Sequence, residues 1–118
     1  MNDATDQELV IFARRFNEVG SICHAMAVEK GWWERDRHDA ELIALIHSEL
    51  SEALEGLRAG NPQDDKIPEF SNAEAELADA VIRIMDMAAV RGWNVGGAIA
   101  AKIAFNSTRP HKHGGKVF

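Results

Sequence analysis

Two pairs of acidic residues stand three residues apart inside predicted helices, and they carry the chemistry that this sequence suggests. The first pair is Glu49 and Glu52, and the second is Glu76 and Asp79. Residues at this spacing lie on the same side of a helix, with Cβ atoms about 5–6 Å apart. If the two helices face each other, four carboxylates converge, and hard oxygen ligands of this kind select Mg²⁺ or Mn²⁺.

Glu49 is the most informative of these acids because it interrupts an apolar surface. At 100° per residue the apolar side chains of its helix fill one arc, with Glu49 inside that arc and Glu52 on its edge. A buried carboxylate is unfavourable unless a positive group meets it. The pattern therefore predicts a cation beside Glu49. Glu76 borders the apolar face of its own helix and Asp79 lies further round, which favours a cleft.

The absence of a Glu-x-x-His motif bears on which metal the acids would select. A di-iron site in a helical bundle uses Glu-x-x-His, whereas positions 52 and 55 are Glu and position 79 is Asp. Mg²⁺ in a bundle is typical of phosphate substrates, because the ion keeps positions open for phosphate oxygens and water. The competing interpretation is that these acids are ordinary solvated residues of helix surfaces, and the spacing alone leaves it open.

Basic and aromatic residues supply candidates for the rest of a site. Lys102, Asn106 and Arg109 line up on one face if the last helix extends that far, and they could hold phosphate oxygens. They could equally be solvent-exposed basic residues that stabilise the C-terminus of the helix electrostatically. Trp32 and Trp33 follow a predicted helix end, as a base-stacking platform or as a core plug or interface anchor.

The elements that must position these residues are four amphipathic helices, at about 6–30, 39–58, 73–91 and 95–107. The predicted caps are Thr5 with Glu8, Asp39, Ser71 with Glu74 (or Asn72), and Asn94, and the predicted stops include Gly31 and Gly92. The polar segment between the second and third helices reads as a mobile loop. The pattern predicts an all-α four-helix bundle.

Composition limits the classes of function. The 118 residues form one expected domain, 1–118, with a basic tail at about 108–118. The net charge of −6 argues against a nucleic-acid duplex as partner. The single cysteine and the polar first residues indicate a cytoplasmic protein, and no apolar run reaches the length of a membrane span. A chain this short would gain from association.

Taken together, these residues resemble the all-α nucleoside triphosphate pyrophosphohydrolases, the MazG-type proteins and their dimeric dUTPase-like relatives. The resemblance is carried by the two acidic pairs in order, by the trailing Lys-Asn-Arg set, and by the closing His113-Gly114-Gly115-Lys116-x-Phe118. It covers about two thirds of the chain, from the second helix onward. One position departs from the family: its first motif often begins Glu-Glu, and here the earlier residue is Ser48.

The resemblance implies hydrolysis of a nucleoside triphosphate between the α and β phosphorus atoms. It implies that Glu49, Glu52, Glu76 and Asp79 bind Mg²⁺ and that one of them assists the attacking water. It also implies that Lys102, Asn106 and Arg109 hold the phosphates, and that chains assemble as a homodimer or homotetramer to complete the pocket. Two other hypotheses are a non-catalytic helical oligomer and a nucleotide-binding regulator without turnover.

Overall fold

Four α-helices account for most of the chain. The computed structural model describes residues 2–110 and 117. In this part the helices are α1 (Asp3–Glu29), α2 (Asp39–Arg58), α3 (Asn72–Arg91) and α4 (Val95–Asn106). It contains no β-strand, only an isolated bridge between Gln63 and Ser71. The all-α class and the four helices are confirmed, whereas most of the predicted tail, including the His113–Lys116 segment and Phe118, lies outside the described residues.

Helix α3 holds the arrangement together. It packs against α2 on one side and against α1 on another, and α4 packs against α1. The helices of the described chain therefore pack in the order α2, α3, α1, α4. This order places the two acid-bearing helices, α2 and α3, directly against each other.

The boundaries of α3 and α4 follow the predicted signals. Ser71 and Glu74 form a reciprocal capping box, with the Ser71 N–H donating to the Glu74 carboxylate at 3.0 Å and the Glu74 N–H donating to the Ser71 hydroxyl at 3.2 Å. Gly92 ends α3 in the left-handed conformation with φ of 72°. Asn94 caps α4 by accepting from the Gly97 N–H at 2.8 Å.

The first two helices begin differently from the prediction. Asn2, not Thr5, caps α1, because its side chain accepts from the Thr5 N–H at 2.8 Å and starts the helix three residues earlier. Helix α2 is preceded by His38 and has no side-chain cap. Asp39, the predicted cap, instead accepts a hydrogen bond from Arg91 Nε at 2.7 Å and so ties the start of α2 to the end of α3.

The loop between α2 and α3, predicted to be mobile, is hydrogen-bonded to itself and to α3. Asp64 is buried and accepts from the backbone N–H groups of Lys66 and Ile67, each at 3.0 Å. Its other oxygen accepts from the Asn72 side chain at 3.3 Å, at the first residue of α3. These bonds set where α3 begins, and therefore where Glu76 lies one turn later and Asp79 two turns later.

The hydrophobic core is small. It consists of Leu42, Ile46 and Met87, with Trp33 and Ile84 packed against it. No large side chain among the described residues is fully buried, and many large apolar side chains stay exposed. No helix of the described part is long and apolar enough to cross a membrane.

Candidate metal centre

Three of the four predicted acids meet where α2 and α3 pack. Glu49, Glu76 and Asp79 each place a carboxylate oxygen within 4.8 Å of the others. Glu49 is buried, Glu76 is half-buried and Asp79 is exposed, so the group opens from the helix interface toward solvent. An ion held among them would need these oxygens at roughly 2.1 Å, the distance at which Mg²⁺ binds oxygen. This donor set fits a divalent cation without selecting one metal.

Glu52 lies at the edge of this group. It is exposed, and its carboxylate is close enough to Glu76 and Glu49 to shift the pKa of both. It therefore adds negative charge to the cluster, although its oxygens are not among the atoms that converge. Ser48, at the position where the resembled family often has Glu, is exposed and donates its hydroxyl to the Leu45 carbonyl at 2.6 Å.

Arg83 is the positive group beside Glu49 that the sequence predicts. The Arg83 Nε donates to Glu49 Oε1 at 2.9 Å, and the Glu49 side chain is about nine-tenths buried. Burial on its own would raise the pKa of Glu49, but the hydrogen bond from Arg83, with smaller contributions from neighbouring groups, outweighs burial and lowers it. Glu49 therefore stays ionised in the folded protein.

Glu76 behaves in the opposite way. Burial, together with hydrogen bonds to Glu52 and Glu49 and the negative charge of both, raises the pKa of Glu76 to about 7. Its Oε2 is buried and has no hydrogen-bond donor among the described residues. When protonated, Glu76 can donate to the neighbouring carboxylates, and when ionised it needs a cation. A bound ion or an ordered water is the kind of partner that satisfies such an oxygen.

Asp79 completes the cluster on the solvent side. Burial first, and then the charge of Glu49, raise the pKa of Asp79, while the positive charges of Arg83 and Lys66 lower it. Lys66, in the loop between α2 and α3, is therefore close enough to Asp79 for its charge to lower the pKa of this acid. Folding thus lowers the pKa of Glu49 and raises the pKa of Glu76 and Asp79. Of the three acids, only Glu49 is hydrogen-bonded to a guanidinium.

A cavity of about 390 Å³ adjoins the acids. Its walls combine two acids of the cluster, Glu49 and Asp79, with cations and apolar side chains from α1, the following turn and α3. The lining residues are Cys23, Met26, Ala27, Lys30, Trp32, Arg37, Glu49, Asp79, Ile82, Arg83 and Asp86. A cavity with carboxylates at one end, cations beside them and an apolar wall is suited to a small molecule that carries phosphate groups.

The two neighbouring tryptophans have different environments. Trp33 packs against the core, and its Nε1–H donates to both carboxylate oxygens of Asp86 at 3.1 Å. Asp86 also bonds to His24 Nδ1 at 2.7 Å, so this group fastens α1 and the turn after it to α3. Trp32 is 56% exposed and lines the cavity. Trp33 therefore matches the core-plug interpretation, whereas the exposed ring of Trp32 stays a candidate for base stacking.

The predicted phosphate-binding residues lie elsewhere in the chain. Helix α4 ends at Asn106, before Arg109, and it packs on α1 instead of α2. Lys102 and Arg109 both place their charged groups 5.8 Å from the centre of the Phe105 ring. None of the three lines the cavity beside the acids. Their predicted role therefore requires a second copy of the chain to bring them to the site.

Lys30, Arg37 and Arg83 are the cavity cations that the sequence reasoning missed. Arg83 had a readable signal, because it stands four residues after Asp79 and therefore on the same face of α3. Lys30 and Arg37 had none, since their position depends on how the turn after α1 folds back toward α3. A single chain therefore supplies both the carboxylates and the cations that line this cavity.

The proton on Glu76 gives a direct test of this arrangement. A pKa raised from 4.5 to about 7 by folding means that the protonated form stabilises the fold below pH 4.5 and that this contribution is lost as the pH rises through 7. In chelator-treated protein we expect the melting temperature to fall between pH 5.5 and pH 8, and Glu76→Gln to reduce that fall. Glu8→Gln, an exposed control, should leave the fall unchanged. An equal fall in Glu76→Gln would contradict the assignment.

Comparison with protein-family models, with curated proteins and with solved structures finds no match to this chain. The resemblance to the all-α nucleoside triphosphate pyrophosphohydrolases therefore remains a likeness of motif residues.

Proposed function

We propose that this protein is a Mg²⁺-dependent nucleoside triphosphate pyrophosphohydrolase, which cleaves an NTP or dNTP to the monophosphate and pyrophosphate. The observation that carries the proposal is the convergence of Glu49, Glu76 and Asp79 beside a cavity that also contains cations. The order of these acids along the chain matches the resembled family. Removal of unwanted nucleotides from the cytoplasmic pool is the role that such an activity would serve.

The three converging acids would hold the ion, with Glu52 adding charge at the rim. Mg²⁺ is the proposed cofactor, and Mn²⁺ suits the same oxygen ligands. When bound, the ion would polarise the phosphate groups and offset the charge that develops on the departing pyrophosphate. Serine at position 48 provides one carboxylate fewer than the family often has, which favours a site with fewer ions or a weaker base.

Different parts of the cavity would then bind different parts of the substrate. The acidic end would receive the phosphates, because only there do ion ligands and Arg83 lie together. Trp32 and the apolar side chains of α1 would take the nucleoside, with the exposed indole stacking on the base. Burial raises the pKa of Cys23, and Asp86 raises it further, so this thiol contributes packing and no nucleophile.

Association of chains is a second part of the proposal. Leu50, Leu54 and Leu57 form a stripe on α2, each one residue after a position buried against α3, and they are 44%, 48% and 56% exposed. Leu77 and Val81 form a similar exposed stripe on α3. Apolar stripes of this kind on a chain with so small a core favour burial in a homodimer or homotetramer. The predicted role of Lys102, Asn106 and Arg109 also needs a second copy, because none of them lines the cavity of its own chain.

The alternative function is nucleotide binding without turnover, as in a regulator. Ser48 is the observation that favours it, because a serine hydroxyl bonded to the Leu45 carbonyl supplies neither a ligand charge nor a base. Product analysis separates the two functions, since both predict nucleotide binding and only the enzyme releases pyrophosphate.

For the enzyme, we expect Mg²⁺-dependent release of pyrophosphate from one or more members of a panel of NTPs and dNTPs. Glu49→Gln should lower the rate by about 100-fold or more, because even residues that only support metal ligands commonly cost 10–100-fold. Ion-exchange chromatography of the products would distinguish pyrophosphate from orthophosphate.

Glu55→Gln is the matched control for this assay. Glu55 lies on the same helix, but it is exposed and pairs with Arg58 at 2.7 Å, outside the acidic cluster. It should keep the activity of the unaltered protein. Release of orthophosphate in place of pyrophosphate, or full activity in Glu49→Gln, would disprove the proposed reaction.

For association, light scattering after size-exclusion chromatography should give a mass two or four times the 13.0 kDa of one chain. Leu54→Glu should shift the mass toward the monomer, because it places a charge in the exposed α2 stripe. Val10→Glu, at an exposed apolar position on α1, is the control for a general effect of added charge. A monomeric unaltered protein would refute this part of the proposal.

A further inference from the structure

The guanidinium of Arg83 has hydrogen-bonding capacity that the described structure does not use. Its Nε donates to Glu49 Oε1 at 2.9 Å. The terminal amino groups Nη1 and Nη2 donate to no residue within 2–110. The side chain is 32% exposed and lines the cavity, so this pair of donors is accessible to a ligand. A planar fork of two amino groups matches the oxygens of a phosphate group.

The position of Arg83 relative to the acids makes phosphate the fitting ligand. Arg83 follows Asp79 by one turn on the same face of α3, and its charge is felt by Asp79. A phosphate group that shares an ion with Glu49 and Asp79 would therefore lie within reach of this fork. The bond to Glu49 also restrains the arginine before any ligand arrives, which reduces the entropy lost on binding.

The other cations of the cavity are less suited to this role. Arg37 is 8% exposed, lies over the Trp33 ring at 5.7 Å and approaches Glu41 at 3.5 Å, so its charge is already engaged in packing. Lys30 is exposed and offers a flexible point charge without the planar fork. Arg83 is therefore the cation of this cavity that combines access, restraint and free donors among the described residues.

We infer that Arg83 is a phosphate-binding residue of the site, supplied by the same chain as the metal ligands. Its Nε stays on Glu49 while Nη1 and Nη2 bind oxygens of the phosphate group nearest the ion. The inference rests on the proposed function, since it assumes a polyphosphate at these acids. It differs from the predicted role of Lys102, Asn106 and Arg109, because it requires no second chain.

Binding of inorganic pyrophosphate in saturating Mn²⁺, measured by isothermal titration calorimetry, tests this role. Arg83→Gln should weaken pyrophosphate binding by about tenfold or more, which corresponds to the strength of a charged hydrogen-bond pair. Arg83→Lys keeps a cation beside Glu49 and should show a smaller loss. Arg15→Gln, at an exposed arginine paired with Glu18 at 2.8 Å, is the matched control and should bind like the unaltered protein.

A parallel titration with Mn²⁺ alone separates phosphate binding from positioning of Glu49. If Arg83 binds phosphate, Arg83→Lys retains Mn²⁺ affinity because it keeps a cation beside Glu49. Arg83→Gln also retains it, since removing a positive charge does not weaken the attraction of the acids for the ion. Loss of Mn²⁺ affinity in parallel with pyrophosphate affinity would overturn the inference, as would unchanged pyrophosphate binding in both variants. Failure of the unaltered protein to bind pyrophosphate would overturn the proposed function and this inference together.

Discussion

The pairing of Glu49 with Arg83 is the interaction on which the acidic cluster depends. A carboxylate on the buried side of α2 would be unfavourable by itself, and its bond to the guanidinium on α3 keeps it ionised inside the helix interface. The same bond links the two helices that carry the acids. Removing either partner would leave a buried charge uncompensated, which is more costly than losing a surface ion pair.

The rest of the cluster can be understood as a problem of charge balance. Arg83 compensates one acid, while Glu76 reduces the repulsion by holding a proton up to a pH of about 7. A divalent ion would replace that proton and satisfy the buried oxygen of Glu76 that has no donor among the described residues. In the proposed site, proton and metal would be alternative occupants of one position, and Arg83 would remain available to a ligand in the adjoining cavity.

Sequence reasoning recovers the helices and part of the site, because both depend on local spacing. The capping box at Ser71, the stop at Gly92 and the burial of Glu49 all follow from helical periodicity and from preferences within a few residues. The cap of α1 was misplaced because Asn2 offers an equivalent side chain one turn earlier.

What the sequence could not provide is the set of contacts between distant segments. Asp39 looks like a helix cap until Arg91, 52 residues later, is found bound to it. The same applies to Trp33, whose indole meets Asp86 across 53 residues, and to the cations that the turn after α1 places in the cavity. Arg83 could be predicted in part. Its spacing from Asp79 shows that the two share a face of α3, but nothing in the sequence shows that its partner on α2 is Glu49.

Proton release on metal binding shows whether a divalent ion takes the place of the Glu76 proton. Mn²⁺ can be titrated calorimetrically at pH 6.5 in two buffers of different ionisation enthalpy, with the unaltered protein and with Glu76→Gln. We expect Mn²⁺ to bind to the unaltered protein with release of up to about one proton, and Glu76→Gln to release none. An absence of Mn²⁺ binding, or the same proton release from both proteins, would contradict this expectation.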